Sequence, residues 1–307
     1  MGISRTADRR VRFDFEVDFS NGGGIQGQDF RLDIEGEGIS DEELARYIVR
    51  DMRLLMVGEV RILNKEIIAE GHKRGPSPGN GDGGRETIDV SHAVEGGMVT
   101  YKGLPAPVVC DYLSREDSRE HYAEGTEFNI GKIEMVGNTG TYVDSPFHRY
   151  ADGKDLSELP LSSLANLEAI VVRHDPVTSG RAVDRDAFEG LDVAGKAILV
   201  NTGWDAHWRT DRYFEGHPFL TEGAAEFLAG SGAGIVGIDS LNIDDTEDGR
   251  RPVHAILLGA EVPIVEHLRG LSGLPDRGVR FSAVPVKVKG FGTFPVRAFV
   301  TVDSLGG

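Results

Sequence analysis

The sequence is short of the residues that would tie it to an oxidising compartment, a membrane or a nucleic acid. One cysteine, Cys110, stands among 307 residues, so neither an internal disulfide nor a cysteine-rich metal cluster can be built. Nowhere do about 18 apolar residues run together, so no membrane span is expected. Basic residues are scarce too: 33 Lys and Arg face 50 Asp and Glu, a formal charge of −17. A potential of that sign repels phosphate backbones and anionic lipid, which excludes nucleic acid and membrane as expected partners. The opening MGISRTADRR is polar and charged, without the apolar core of a signal peptide. A cytoplasmic protein is the expectation.

What is present suffices for folded domains. Hydrophobic residues make up 39% and charged residues 27%, and the length suits one large domain or two moderate ones. Val11, Phe13, Phe15, Val17 and Phe19 alternate with Arg12, Asp14, Glu16 and Asp18, the period of a half-buried strand. Phe30, Leu32 and Ile34 repeat that period after a Gly-rich turn, so a hairpin is expected. Ser40 and Glu43 form a capping-box pattern ahead of a helix, and Val60 and Ile62 suggest a third strand. These elements define a small α+β module, β-β-α-β, over residues 1–73. The Gly- and Pro-rich stretch 74–85 reads as a linker.

From residue 86 to 307 apolar runs alternate with Gly-rich turns. Leu167–Asp175, Lys196–Trp204 and Ala233–Ser240 read as buried strands feeding polar loops, and Glu222–Leu228 as a helix. A mixed α/β class follows, with functional residues on loops at strand ends.

Two constellations carry candidate chemistry. In GNTGTYVDSPFHRYADG, Gly137–Gly153, Asp144 and His148 lie four apart, but Pro146 forbids a regular helix between them. A turn could aim both into one cleft; an Asx-type turn with a surface histidine is the plainer alternative. In HAILLGAEVPIVEHL, His254 and Glu266 would lie roughly 18 Å apart on one straight helix. Gly259 and Pro263 predict a turn that brings them back together, either as a structural pair or as ligands for Zn or Mn. Trp204, His207, Trp208, Tyr213, His217 and Phe219 crowd one loop, as an aromatic substrate wall or as cover for a core edge or subunit interface. Asp239 and Asp244 read either as a solvated acidic loop or as groups orienting His254. His92 reads as a core histidine. NGGGIQG lacks the lysine and the strand–helix context of a phosphate loop.

GNTGTYVDSPFH resembles the H-x-G-T-H-x-D-x-P-x-H signature of the cyclase family of metal-dependent hydrolases, which includes bacterial kynurenine formamidase and isatin hydrolase. Gly140, Thr141, Asp144, Pro146 and His148 match in register. Ile88–Pro105, Ile198–Trp204, Gly234–Asp244, His254–Leu268 and Ser282–Ala298 agree in order, so the resemblance spans about residues 86–307. It implies a swivelling β/β/α domain in a homo-oligomer, acting on a small-molecule substrate, with aromatic substrates among the candidates. By that resemblance Asp144, His254 and Glu266 match one metal site and His148 the histidine that handles protons. The two remaining signature histidines are replaced by Asn138 and Tyr142, both weak ligands at neutral pH. One divalent ion, Zn or Mn, is therefore expected, in an arylformamidase-like amidohydrolase. Tyr142 is a candidate donor to a developing oxyanion, and Asn138, Trp204 and His207 are candidate substrate contacts. A lactone or cyclic-amide hydrolase, a lyase, and a metal-free ligand-binding protein are the alternatives.

Overall fold

A computed structural model of the chain describes residues 9–20, 24–33, 38–51, 57–69 and 85–303. These fall into two compact units, divided between residues 82 and 83. The expected linker lies outside the described residues except for Arg85, which opens a strand.

The first unit contains β1 (Arg9–Phe19), β2 (Gly24–Asp33), α1 (Asp41–Asp51) and β3 (Val57–Ala69). Its antiparallel sheet has the order β2-β1-β3. The alternating apolar residues of β1, Val11 to Val17, are buried against Leu44 and Ile48 of α1. Phe30 meets Phe13 and Phe15 edge-on at 5.8 and 5.4 Å between ring centres, a favoured aromatic geometry. The capping box forms: Glu43 N–H donates to Ser40 Oγ at 3.2 Å, and Ser40 N–H to Glu43 Oε2 at 3.0 Å.

The second unit begins with β4 (Arg85–Asp89) and the hairpin strands β5 (Val108–Leu113) and β6 (Ile130–Glu134), which flank the one-turn helix α2 (Arg115–Ser118). Then come β7 (Tyr142–Asp144), β8 (Leu167–Arg173), the short α3 (Pro176–Ser179), and β9 (Ala182–Val183). β10 (Ala197–Asn201), β11 (Phe219–Leu220), α4 (Glu222–Gly230), β12 (Ile235–Ile238) and α5 (Pro252–Gly259) follow. The last strands are β13 (Ile264–Glu266), β14 (Val279–Ser282), β15 (Thr293–Pro295) and β16 (Phe299–Asp303).

Nine of these strands make one mixed sheet of order β15-β7-β13-β12-β10-β8-β14-β16-β4. The central four, β8, β10, β12 and β13, are parallel, and the flanking pairs are antiparallel. Parallel strands buried on both faces are apolar throughout, which is why LEAIVV, AILV and IVGI read as continuous runs. Alternate residues serve separate cores: Ala197 and Leu199 join one cluster, while Ile198 and Val200 join the other, with α4 and α5. Among the described residues no helix is long and apolar enough to cross a membrane.

Candidate metal and catalytic site

The site grows from the register of β7. Residues two apart on a strand share a face, so Tyr142 and Asp144 project together while Val143 enters the core beside Val265. On one side β7 pairs with β13, setting Tyr142 opposite Glu266. On the other it pairs with β15, setting Asp144 opposite Thr293. Cross-strand neighbours interact directly. The Tyr142 hydroxyl donates to Glu266 Oε2 at 2.5 Å, and the Thr293 hydroxyl donates to Asp144 Oδ1.

Pro146 then opens a single 3-10 turn, Pro146–His148, which returns His148 over Asp144. His148 Nδ1 lies 3.8 Å from Asp144 Oδ1 and 2.8 Å from Thr293 Oγ1. Because the Thr293 hydrogen is committed to Asp144, His148 Nδ1–H is the donor to Thr293, and its Nε2 is left bare. Two glycines make this packing possible. Gly140 sits at φ +66°, where a side chain is strained. A Cβ on Gly292 would lie 2.6 Å from the His148 backbone.

The expected turn between His254 and Glu266 is present. α5 ends at Gly259, Glu261 adopts φ +60°, and β13 carries Glu266 back. His254 Nε2 is 3.7 Å from Asp144 Oδ2 and 3.8 Å from Glu266 Oε1. Asp244 supplies the orientation. It accepts His254 Nδ1–H at 2.6 Å and caps α5 by accepting the N–H groups of Val253 and His254 at 2.7 and 3.0 Å. With Nδ1 holding the hydrogen, Nε2 faces the two site carboxylates. Asp239 does not share this role; it accepts from Asn201, Thr202 and Gly203 at 2.6–2.9 Å.

The electrostatics call for a cation. Asp144 is fully buried, and its Oδ2 has no hydrogen-bond partner among the described residues, a costly state for a carboxylate oxygen. Burial pulls the His254 pKa down, but Asp144, Asp244 and Glu266 more than reverse this, raising it to about 10. Burial also raises Glu266, with His254 opposing. A proton on Nε2 or a divalent ion between these groups would satisfy the same demand. Among the described residues the group that offers ligand atoms within 4.8 Å of one another is Asp144, His148 and His254; Glu266 is not in that group, though its Oε1 lies 3.8 Å from His254 Nε2.

His148, His254 and Glu266 line a cavity of about 560 Å³, whose lining does not include the buried Asp144; the volume is within the usual range for small-molecule sites. Asn138 and Tyr142 line it, as do Tyr101 and Asn242, which the sequence did not single out. The buried Tyr101 hydroxyl has no hydrogen-bond partner among the described residues. Trp204 and His207, expected as substrate contacts, do not line the cavity. Trp204 is buried with Tyr213 and Leu241, and its indole N–H donates to Tyr213 O at 3.0 Å; the His207 ring abuts it at 4.7 Å. An aromatic crowd after a strand reads alike whether it faces a ligand or a core. Tyr142, expected as a donor to an oxyanion, lines the cavity and donates its hydroxyl hydrogen to Glu266. His92 stacks on Trp208 at 4.0 Å.

Comparison with known proteins bears on the family and the fold. Over 216 residues the chain is 26% identical to a kynurenine formamidase of Bacillus cereus, covering 70% of this chain and 97% of that one. A solved structure titled as a potential metal-dependent hydrolase with cyclase activity is 26% identical, with a TM-score of 0.58, covering 73% of this chain and 100% of that one. Isatin hydrolase A from Labrenzia aggregata shares the fold at 18% identity, with a TM-score of 0.61, over 72% of this chain and 94% of that one. The family model described as "Putative cyclase" matches residues 88–245, just over half of the chain and all of the Asn138–His148 segment, and on that match the chain belongs to the cyclase family.

Proposed function

We propose that the chain is a metal-dependent amidohydrolase that cleaves a carbon–nitrogen amide bond, of the arylformamidase type, using one Zn or Mn ion. The observation that carries this reading is the buried Asp144 Oδ2, unpartnered among the described residues, which lies 3.7 Å from Nε2 of the cavity-lining His254. Asp144, His254 and Glu266 would hold the ion, which when bound supplies a Lewis acid that polarises the amide carbonyl and acidifies a water. The kynurenine formamidase relative supports the substrate class.

The remaining work falls to the protein. His148 Nε2, bare because Nδ1–H is bound to Thr293, takes the proton of the attacking water and delivers it to the leaving nitrogen. Thr293 fixes that tautomer by joining His148 to Asp144. Tyr142 and Asn242 hold Glu266 in place through Oε2, and Ile243 N–H holds Oε1 at 2.6 Å. Asn138, lining the cavity where the signature has a histidine, offers amide donors to the developing oxyanion.

The test is metal analysis of the purified protein and its Asp144→Ala variant, with assays on N-formyl aromatic amines. About one Zn or Mn per chain, lost in the variant together with hydrolysis, supports the reading. No metal in either protein, and no hydrolysis after Zn or Mn addition, overturns it in favour of a ligand-binding protein. In His148→Ala, retention of the ion with loss of turnover assigns His148 to proton transfer; loss of the ion makes it a ligand.

A further inference from the structure

The reaction outlined above uses the floor of the cavity and leaves its rim unexplained. Lys102, Arg149, Arg250 and Arg251 all line the cavity, in a chain whose formal charge is −17. Glu266, at the floor, is the one carboxylate in that lining among the described residues. Two of the four cations are engaged: Arg250 pairs with Asp248 at 2.8 Å and Glu222 at 3.7 Å, and Lys102 lies 4.0 Å from Glu215. The other two have no carboxylate within ion-pair distance among the described residues. Arg149 is exposed and lies over the Tyr150 ring at 5.5 Å. Arg251 donates to the backbone carbonyl of Asp245 at 3.1 Å, and at 3.5 Å to Thr246 O and Asn242 Oδ1.

A protein with this excess of acid has carboxylates to spare, yet two guanidiniums beside the cavity keep none. A partly enclosed, low-dielectric cleft focuses their potential onto whatever enters. The planar fork of arginine matches a carboxylate with paired, charge-assisted hydrogen bonds. We infer that the cavity selects substrates bearing a carboxylate, with Arg149 and Arg251 as the groups that hold it. The inference rests on the hydrolase reading for the fate of the substrate, but not for its binding. A neutral amide would leave both guanidiniums without a counter-charge; an aryl or amino-acid carboxylate would supply one and orient the scissile bond toward His148.

The probes are anthranilate and its neutral isostere 2-aminobenzamide, titrated calorimetrically into metal-stripped and zinc-loaded protein. Anthranilate is expected to bind at least about tenfold tighter in both forms, the scale of a charge-assisted pair. That preference falls to near unity in Arg149→Gln, survives in part in Arg149→Lys, and shrinks in Arg251→Gln, with circular dichroism unchanged. Equal binding of the two probes overturns the inference. So does a preference seen only in zinc-loaded protein and untouched by either arginine variant, which would place the carboxylate on the ion. N-formylanthranilate should also exceed formanilide in kcat/KM by about tenfold. If neither is hydrolysed while arginine-dependent binding persists, the hydrolase reading fails and the anion site stands. If formanilide is hydrolysed equally well and binding shows no preference, the reverse holds.

Discussion

Tyr142 stands directly opposite Glu266 in the β7–β13 pairing and donates to it across 2.5 Å. A residue occupying a signature histidine position therefore serves as a support for the neighbouring candidate ligand. Removing that donor in Tyr142→Phe keeps the shape and leaves Glu266 Oε2, among the described residues, with Asn242 at 3.4 Å. Metal affinity is expected to fall about 10-fold or more, measured by competition with a chromophoric chelator, with little change in thermal stability.

Restoring both signature histidines makes the complementary case. Asn138→His with Tyr142→His is expected to raise the metal content from one ion per chain to two, as read by elemental analysis. An unchanged count would show that the missing site depends on more than those two side chains.

Gly292 tests the placement of His148. Its Cβ would lie 2.6 Å from the His148 backbone, so Gly292→Ala must push the turn away from Asp144. A displacement near 1 Å costs on the order of 100-fold in turnover. The ion count should stay at one per chain, because Asp144 and Glu266 are carried by β7 and β13 and His254 by α5.

Metal loading should stabilise the fold. At a free concentration of 100 times Kd the gain is about 2.7 kcal/mol, read by denaturant unfolding before and after chelation. In Asp144→Ala the gain should vanish, since the unpartnered oxygen is gone.

Acid should destabilise the chain partly through His92. Burial, with Arg269 adding to it, depresses its pKa from 6.5 to about 4. The unfolded chain thus takes up the proton first, and stability is lost as pH falls from 6.5 toward 4. The full effect is on the order of 3 kcal/mol. His92→Phe preserves the stack on Trp208, so the difference between wild type and variant in urea midpoint should change between pH 7.5 and pH 5. Parallel losses in both proteins would contradict it.

Much of the sheet was legible because its signal is local. β10 and β12 are apolar on both faces, and Gly259 and Pro263 announce the turn that returns Glu266 to His254. That Asp144, His148 and His254 come together was legible through their resemblance to a signature, and the turn accounts for Glu266 lying 3.8 Å from His254. What the sequence hid depends on register between distant strands. Thr293 lies 149 residues from Asp144, and nothing local to GFGTFP marks its hydroxyl as the link to His148. Tyr142 reads as a lost ligand until β13 is laid beside it. The rim arginines escaped notice because their significance lies in lacking a counter-ion, which only three dimensions reveal.

The three-residue strand β7 lies between β13 and β15, both encoded more than 110 residues downstream. During synthesis, Asp144 and His148 leave the ribosome long before the segments that orient them. At 5–20 residues per second, Thr293 follows Asp144 by roughly 7–30 s. A nascent or C-terminally truncated chain therefore carries the signature loop without its supports, and competence arrives as a late, single event when the final strands dock.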